Sequence, residues 1–240
     1  SSTKLFRQPL PARRNQGRSS GSEVQDVGIR LAAAILCEDE AQFRLIRELV
    51  LRRFREKNAG ERELSVDRPS ARGSGVSEVF KMYLKAVSKD ITLRYDLYVL
   101  AKDGNKKGYA KIRKDFEEAL SKDFGDRGGY PFPLVMAIPD PHVERWYLLD
   151  QKALQKASGA AGAPDLPPLS KRKDYYKRML REYLGDNGIR PQFGGAEYGE
   201  DIAAAMDIEL AMTRDDSFKR FIEDLDGAVA ELAAMSRQEK

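Results

Sequence analysis

The chain of 240 residues has one cysteine and one histidine, and each scarcity removes a class of chemistry. Cys37 alone makes no internal disulfide, so a reducing cytoplasm is the economical setting. Its place in an apolar run gives thiol catalysis little support. With His142 as the sole histidine, zinc centres built on several histidines are excluded, and a Ser-His-Asp triad has only that residue to use. No Gly-x-x-x-x-Gly-Lys-Ser/Thr loop occurs, which argues against a self-contained P-loop nucleotidase. No apolar window reaches the length of a membrane span, and no apolar stretch backs the N-terminal basic residues as a secretory signal requires. The chain opens on Ser rather than Met, as expected where preceding sequence has been removed or replaced.

Charge is present in both signs but unevenly placed. Residues 1 to 22 hold Lys4, Arg7, Arg13, Arg14 and Arg18 with no acid, so the net +4 is +5 in this segment and −1 in the rest. The segment is also rich in Pro, Gly and Ser, and residues 1–26 therefore read as a flexible basic tail. Such an arm either touches nucleic acid or serves as a solubilising leader.

Beyond the tail, apolar runs alternate with amphipathic patterns, which predicts an α/β fold with a mostly parallel sheet flanked by helices. Leu31 to Cys37 is apolar on both parities, the pattern of a strand covered on both faces, and a helix follows from Glu40 to Lys57. Strands are also expected at Glu63–Val66, Tyr95–Ala101 and Phe132–Ile138, a loop at 68–75, and helices at Val76–Lys89 and Tyr109–Leu120. This α/β core spans residues 27–140. A helical part, residues 141–240, is expected to pack on it. Asp140 before Pro141 reads as the cap of a helix running to Lys156. Further helices fit Lys173–Leu184, Gly199–Leu210 and Asp215–Met235.

The remaining inventory for chemistry is carboxylate, and carboxylates without histidines suit Mg2+ or Mn2+ rather than zinc. Three acidic places lie near expected strand ends: Glu38 with Asp39 and Glu40, Asp103 with Asn105, and Glu144 with Asp140. In a parallel sheet the carboxyl ends share one edge, so these residues can converge there. Each also has a structural explanation. Asp39 and Gln42 form the Asp-x-x-Gln pattern of a helix cap. Asp103-Gly104 is an ordinary turn signal. Glu144 falls in a first helical turn, where a negative charge complements the macrodipole, and on an ideal helix it points away from Val143, Trp146, Leu149 and Ala153. Trp146 reads as core, His142 as an incidental loop histidine, and Asp150 as a weaker candidate.

Taken together, these segments resemble the Toprim-like fold shared by primases, topoisomerases, OLD-type nucleases and RloB-like bacterial proteins. Ile35-Leu36-Cys37-Glu38-Asp39-Glu40-Ala41-Gln42-Phe43 matches the strand that ends in an invariant-type Glu. Val99-Leu100-Ala101-Lys102-Asp103-Gly104-Asn105 stands where the family carries Asp-x-Asp. Glu144-Arg145-Trp146-Tyr147-Leu148-Leu149-Asp150 looks like the Glu-x-Trp-x-Leu-x-Asp element of related families encoded beside an AAA-type ATPase.

The resemblance implies a nuclease using Mg2+ or Mn2+ on DNA or RNA, in bacterial anti-phage defence, with Glu38, Asp103, Asn105 and Glu144 as metal ligands. Glu38, Asp103 and Glu144 are then the catalytic set. The match departs in having Asp39 for the usual Gly and an incomplete Asp-x-Asp pair, with Ala101 or Asn105 in place of one Asp. A missing carboxylate weakens an Mg2+ site, although Asn still coordinates through its carbonyl. The other function this allows is a non-catalytic subunit that binds, or is regulated by, an ATPase partner.

Overall fold

The apolar run after residue 29 is buried on both parities because it lies inside a sheet with cores on both faces. The computed structural model describes residues 30–57, 63–69, 78, 79, 81, 83, 95–124, 133–162, 164–170, 172 and 174–235. The strands are β1 (Arg30–Leu36), β2 (Glu63–Asp67), β3 (Leu97–Ala101) and β4 (Leu134–Ala137). All neighbours pair in parallel, in the order β2-β1-β3-β4. Alternate residues separate the cores: Ala33, Ile35, Val99, Ala101 and Val135 face one, and Ala34, Leu36, Tyr98, Leu100 and Met136 face the other.

Helix α1 (Glu40–Lys57) seats Leu45, Ile46, Leu49, Val50 and Phe54 in the first core. Helix α2 (Tyr109–Phe124) seats Ile112, Phe116 and Leu120 in the second, beside Val79 and Tyr83. Val79 and Tyr83 belong to the helix expected at 76–89, of which only Glu78, Val79, Lys81 and Tyr83 are described, all helical. The tail at 1–26 and most of the loop at 68–75 lie outside the described residues.

After β4 the helical reading needs two corrections. Asp140–Pro141 is a cis peptide and does not open a helix. Instead α3 (Val143–Tyr147) is a short helix, and α4 (Gln151–Ser158) starts afresh. Asp150 makes the break, since its Oδ1 accepts from the backbone N–H of Lys152 at 3.0 Å and of Ala153 at 3.1 Å. Those donors would otherwise be unpaired at a new helix start. Asp140 caps α2 by accepting from Tyr109 N at 2.9 Å.

Helix α5 (Tyr175–Asp186) follows an irregular stretch. The single helix expected over 199–210 is two, α6 (Gly199–Ala205) and α7 (Ile208–Arg214), because Met206 is extended and Asp207 caps anew, accepting from Leu210 N at 3.0 Å. Helix α8 (Asp216–Met235) buries Phe218, Phe221, Ile222, Leu225, Val229 and Leu232, as its period predicts. A β-carbon on Gly199 would collide with the Tyr147 hydroxyl and lie 3.1 Å from Leu45 N, so only glycine lets α6 start this close to α1.

Helices α3 to α8 share the first core with α1 and the sheet. Trp146 sits among them, its ring 5.2 Å from Phe218 and 5.4 Å from Phe221, with its N–H donated to Ser217 Oγ at 3.1 Å. Among the described residues no helix is long and apolar enough to cross a membrane. The chain leaves β1 for β2 on one side and returns to place β3 on the other. This reversal opens a crevice at the carboxyl ends of β1 and β3, where open α/β sheets take their ligands.

Candidate functional site

Three strand exits deliver the site. Glu38 and Asp39 follow β1, Lys102 and Asp103 follow β3, and Asp140, His142 and Glu144 follow β4. The chain after β3 stays paired with that after β4: Lys102 N donates to Ala137 O at 3.0 Å, Gly104 N to Pro139 O at 2.7 Å and Asn105 N to Pro141 O at 2.8 Å. That continuation presses Asp103 against the start of α3. Its Oδ1 accepts from Val143 N at 3.1 Å, and its Oδ2 lies 3.3 Å from His142 Nδ1.

Gln42 joins the first two exits. Its Nε2 donates to Asp103 Oδ1 at 3.0 Å, while its Oε1 accepts from Glu38 N at 3.1 Å. Asp39 caps α1 as its pattern predicts, accepting from Gln42 N at 2.9 Å. The Glu38 carboxylate is held by Lys102, whose Nζ stands 2.5 Å from Oε2. Asn105 lies apart at the exposed turn, with positive φ and its Nδ2 donated to Asp103 O at 3.2 Å.

Glu144 departs most from its sequence reading. It is not a solvated first-turn acid but is only 7% exposed, because the residues from Val143 to Asp150 are all buried. Its Oε1 stands 3.5 Å from Lys177 Nζ, and its Oε2 has no hydrogen-bond partner. Glu144, Asp39, Tyr147 and Lys177 line a cavity of about 290 Å3.

Electrostatics follow from this burial. Desolvation raises the proton affinity of Glu144, and the nearby charges of Asp103 and Asp39 add to it, against the opposing pull of Lys177. Desolvation likewise raises Asp39, helped by Asp103 and Glu38. Lys177 is pushed up chiefly by the Glu144 charge, and His142 chiefly by its hydrogen bond to Asp103. Cys37 is buried, and its thiol is pushed up to about 12, mainly by desolvation. A thiolate nucleophile is therefore suppressed near neutral pH.

The oxygen donors have the chemistry a hard cation prefers, and Glu144 Oε2 has no hydrogen-bond partner. As folded they do not close around an ion. Among the described residues no group of three or more His, Cys, Asp and Glu could hold one. Glu38 is committed to Lys102, and both Asp103 oxygens have partners.

A family model described as a domain of unknown function (DUF4276) matches residues 37–226. The chain belongs to the DUF4276 family. The DUF4276 match takes in Glu38, Asp103, Glu144 and Lys177, together with helices α1 and α3 to α7 and α8 as far as Asp226. No curated protein and no solved structure matches the chain.

Sequence reasoning placed Glu38, Asp103 and Glu144 at one sheet edge. It missed Gln42, Lys102 and Lys177, and it set His142 aside as a loop residue. Gln42 was visible as a capping partner, but nothing local signals its second contact, 61 positions away at Asp103.

Proposed function

We propose that the cavity between the β1 exit, α3 and α5, beside Asp103, is a Toprim-like centre for divalent-metal-dependent phosphodiester hydrolysis of nucleic acid. The observation that carries this reading is Glu144, a buried carboxylate with one unpartnered oxygen in a cavity shared with Asp39 and Lys177. A buried acid with an incomplete set of partners is costly to a fold and is retained where chemistry uses it.

Asp39 and Asp103 would hold Mg2+ or Mn2+ once the Asp103 contacts with Gln42 and His142 open, and Glu144 would serve either as a third ligand or as the proton acceptor at Oε2. Glu38 joins them only when its pair with Lys102 opens. Such an ion, when bound, polarises the phosphodiester and lowers the pKa of its water. Gln42 holds Asp103 in register with β1, and Lys177 offsets negative charge at the cavity mouth. The role in anti-phage defence beside an ATPase belongs to the same proposal.

Incubation with single- and double-stranded DNA and RNA in Mn2+ or Mg2+ tests this. Hydrolysis is expected from the parent and lost in Asp103→Asn and Glu144→Gln; hydrolysis that persists in both overturns the site. The Glu38–Lys102 ion pair favours a second reading, a non-catalytic subunit bound to an ATPase partner. Folded protein that cleaves none of these substrates, and that copurifies with an ATPase from its host, supports it.

A further inference from the structure

Beside the carboxylates, the same cavity is lined by residues of different chemistry. Lys177 and Arg181 stand four residues apart on α5 and so share one face. The loop before a 3-10 turn at Ala196–Tyr198 brings Phe193 to the rim with 68% of its surface exposed. A single exposed aromatic needs no explanation, but this one lines a cavity together with both cations.

The ring is also mounted on a fixed loop. The Glu197 carboxylate accepts from Gln192 N at 2.6 Å, Phe193 N at 3.2 Å and Gly195 N at 3.1 Å. Gly195 has φ 100°, and a β-carbon there would stand 2.7 Å from Leu180, so glycine is what lets the loop rest on α5. A β-carbon on Gly194 would lie 3.9 Å from Arg181 Nη2, which places that guanidinium beside the loop. Lys177 is engaged by Glu144, whereas the Arg181 guanidinium has no hydrogen bond or ion pair among the described residues.

A fixed ring next to an uncommitted guanidinium supplies the two contacts an unpaired nucleotide uses: a base stacks on the ring and a phosphate meets the cation. A cavity of about 290 Å3 suits roughly one nucleotide unit. In a duplex the base faces are already stacked on one another, and none is offered to Phe193. We infer that the Phe193–Arg181 rim binds single-stranded nucleic acid and leads it to the carboxylate cavity. The second half of this statement rests on the phosphodiesterase reading; the binding does not.

The test is fluorescence anisotropy of the full chain with fluorescein-labelled oligothymidylate, oligouridylate and a DNA duplex, in EDTA, across a salt series. Single strands are expected to bind more tightly than the duplex, and the thymidylate and uridylate arms separate DNA from RNA. Phe193→Ala should weaken single-strand binding roughly tenfold, the size of one base–aromatic stack, and Phe193→Trp should retain it. Arg181→Ala should flatten the slope of log affinity against log salt by about 0.7 to 1. The basic residues from Lys4 to Arg18 act equally in parent and variants, so the differences report the rim alone.

Unchanged binding by Phe193→Ala, or a duplex bound as tightly as a single strand, overturns the proposal. Phe193-dependent binding without hydrolysis leaves the rim standing and removes the phosphodiesterase. Hydrolysis with Phe193-indifferent binding does the reverse.

Discussion

Glu144 and Arg145 are neighbours in the same five-residue helix, both almost fully buried, and the fold treats them in opposite ways. Arg145 spends every guanidinium nitrogen: Nε donates to Asp215 Oδ2 at 2.7 Å, Nη1 to Pro167 O at 3.3 Å, and Nη2 to Arg214 O at 3.3 Å. Its guanidinium also lies over the Tyr176 ring, 5.6 Å from the centroid. Asp215 in turn accepts from Phe218 N at 2.9 Å and caps α8. Glu144 has one cation at 3.5 Å and one oxygen with nothing. A buried charge with a full set of partners ties helices together, while one with a partial set keeps binding capacity in reserve.

The largest expected effect breaks the structural half of this pair. Arg145→Ala leaves Asp215 buried without its cation and should cost about 3 to 5 kcal/mol in urea unfolding. Glu144→Gln should change stability by less than about 1 kcal/mol, because Lys177 is 46% exposed and turns to water. Equal losses in the two variants would erase the distinction drawn between them.

Next comes the chemical half. In a Mn2+-dependent cleavage assay Glu144→Gln should lower the rate about a hundredfold or more while the melting temperature holds. A variant that cleaves as fast as the parent removes Glu144 from the chemistry.

The pH dependence of stability sharpens the comparison further. Burial raises the folded pKa of Glu144 above its ordinary 4.5, so the unfolded chain releases this proton first. Its contribution is therefore fully present below about pH 4.5 and is lost as pH rises through the raised folded value. Glu144→Gln lacks that decline, so thermal melting of the two proteins should diverge upward across this window. His142, raised above its ordinary 6.5 by Asp103, gives a second decline at higher pH that His142→Asn should remove.

The smallest effect concerns the other ion pair at the edge. Glu38 and Lys102 are 15% and 11% exposed, so a double-mutant cycle of Glu38→Gln and Lys102→Met should give a coupling of about 1 kcal/mol. A coupling near zero would mean that the Lys102 contact does not hold the Glu38 carboxylate in place.

Much of the fold was legible along the chain. Strand β1, helix α1 and the inward face of α8 follow from apolar period alone, because a strand buried on both sides and an amphipathic helix each leave a repeating mark. The breaks at Asp150 and Met206 were not legible. Each is made by a capping Asp inside a stretch whose apolar period runs on, and one long-range contact joins the two caps, Asp150 Oδ2 accepting from Asp207 N at 2.8 Å. The place of Glu144 after β4 is legible in the sequence and its burial is not, since on an ideal helix it points away from the apolar stripe, whereas in the fold Lys177 of α5 stands beside it and it is 7% exposed.

The amino-acid order determined which carboxylates exist, which strands they follow and, through parallel pairing, that they share an edge. Tertiary structure decided their state: Glu38 paired with Lys102, Asp103 clasped by Gln42 and His142, and Glu144 buried with an oxygen unspent. Periodicity reports how each segment meets a core. The partners of a charge at a sheet edge come from segments far along the chain, and only their packing settles how many of its oxygens are used.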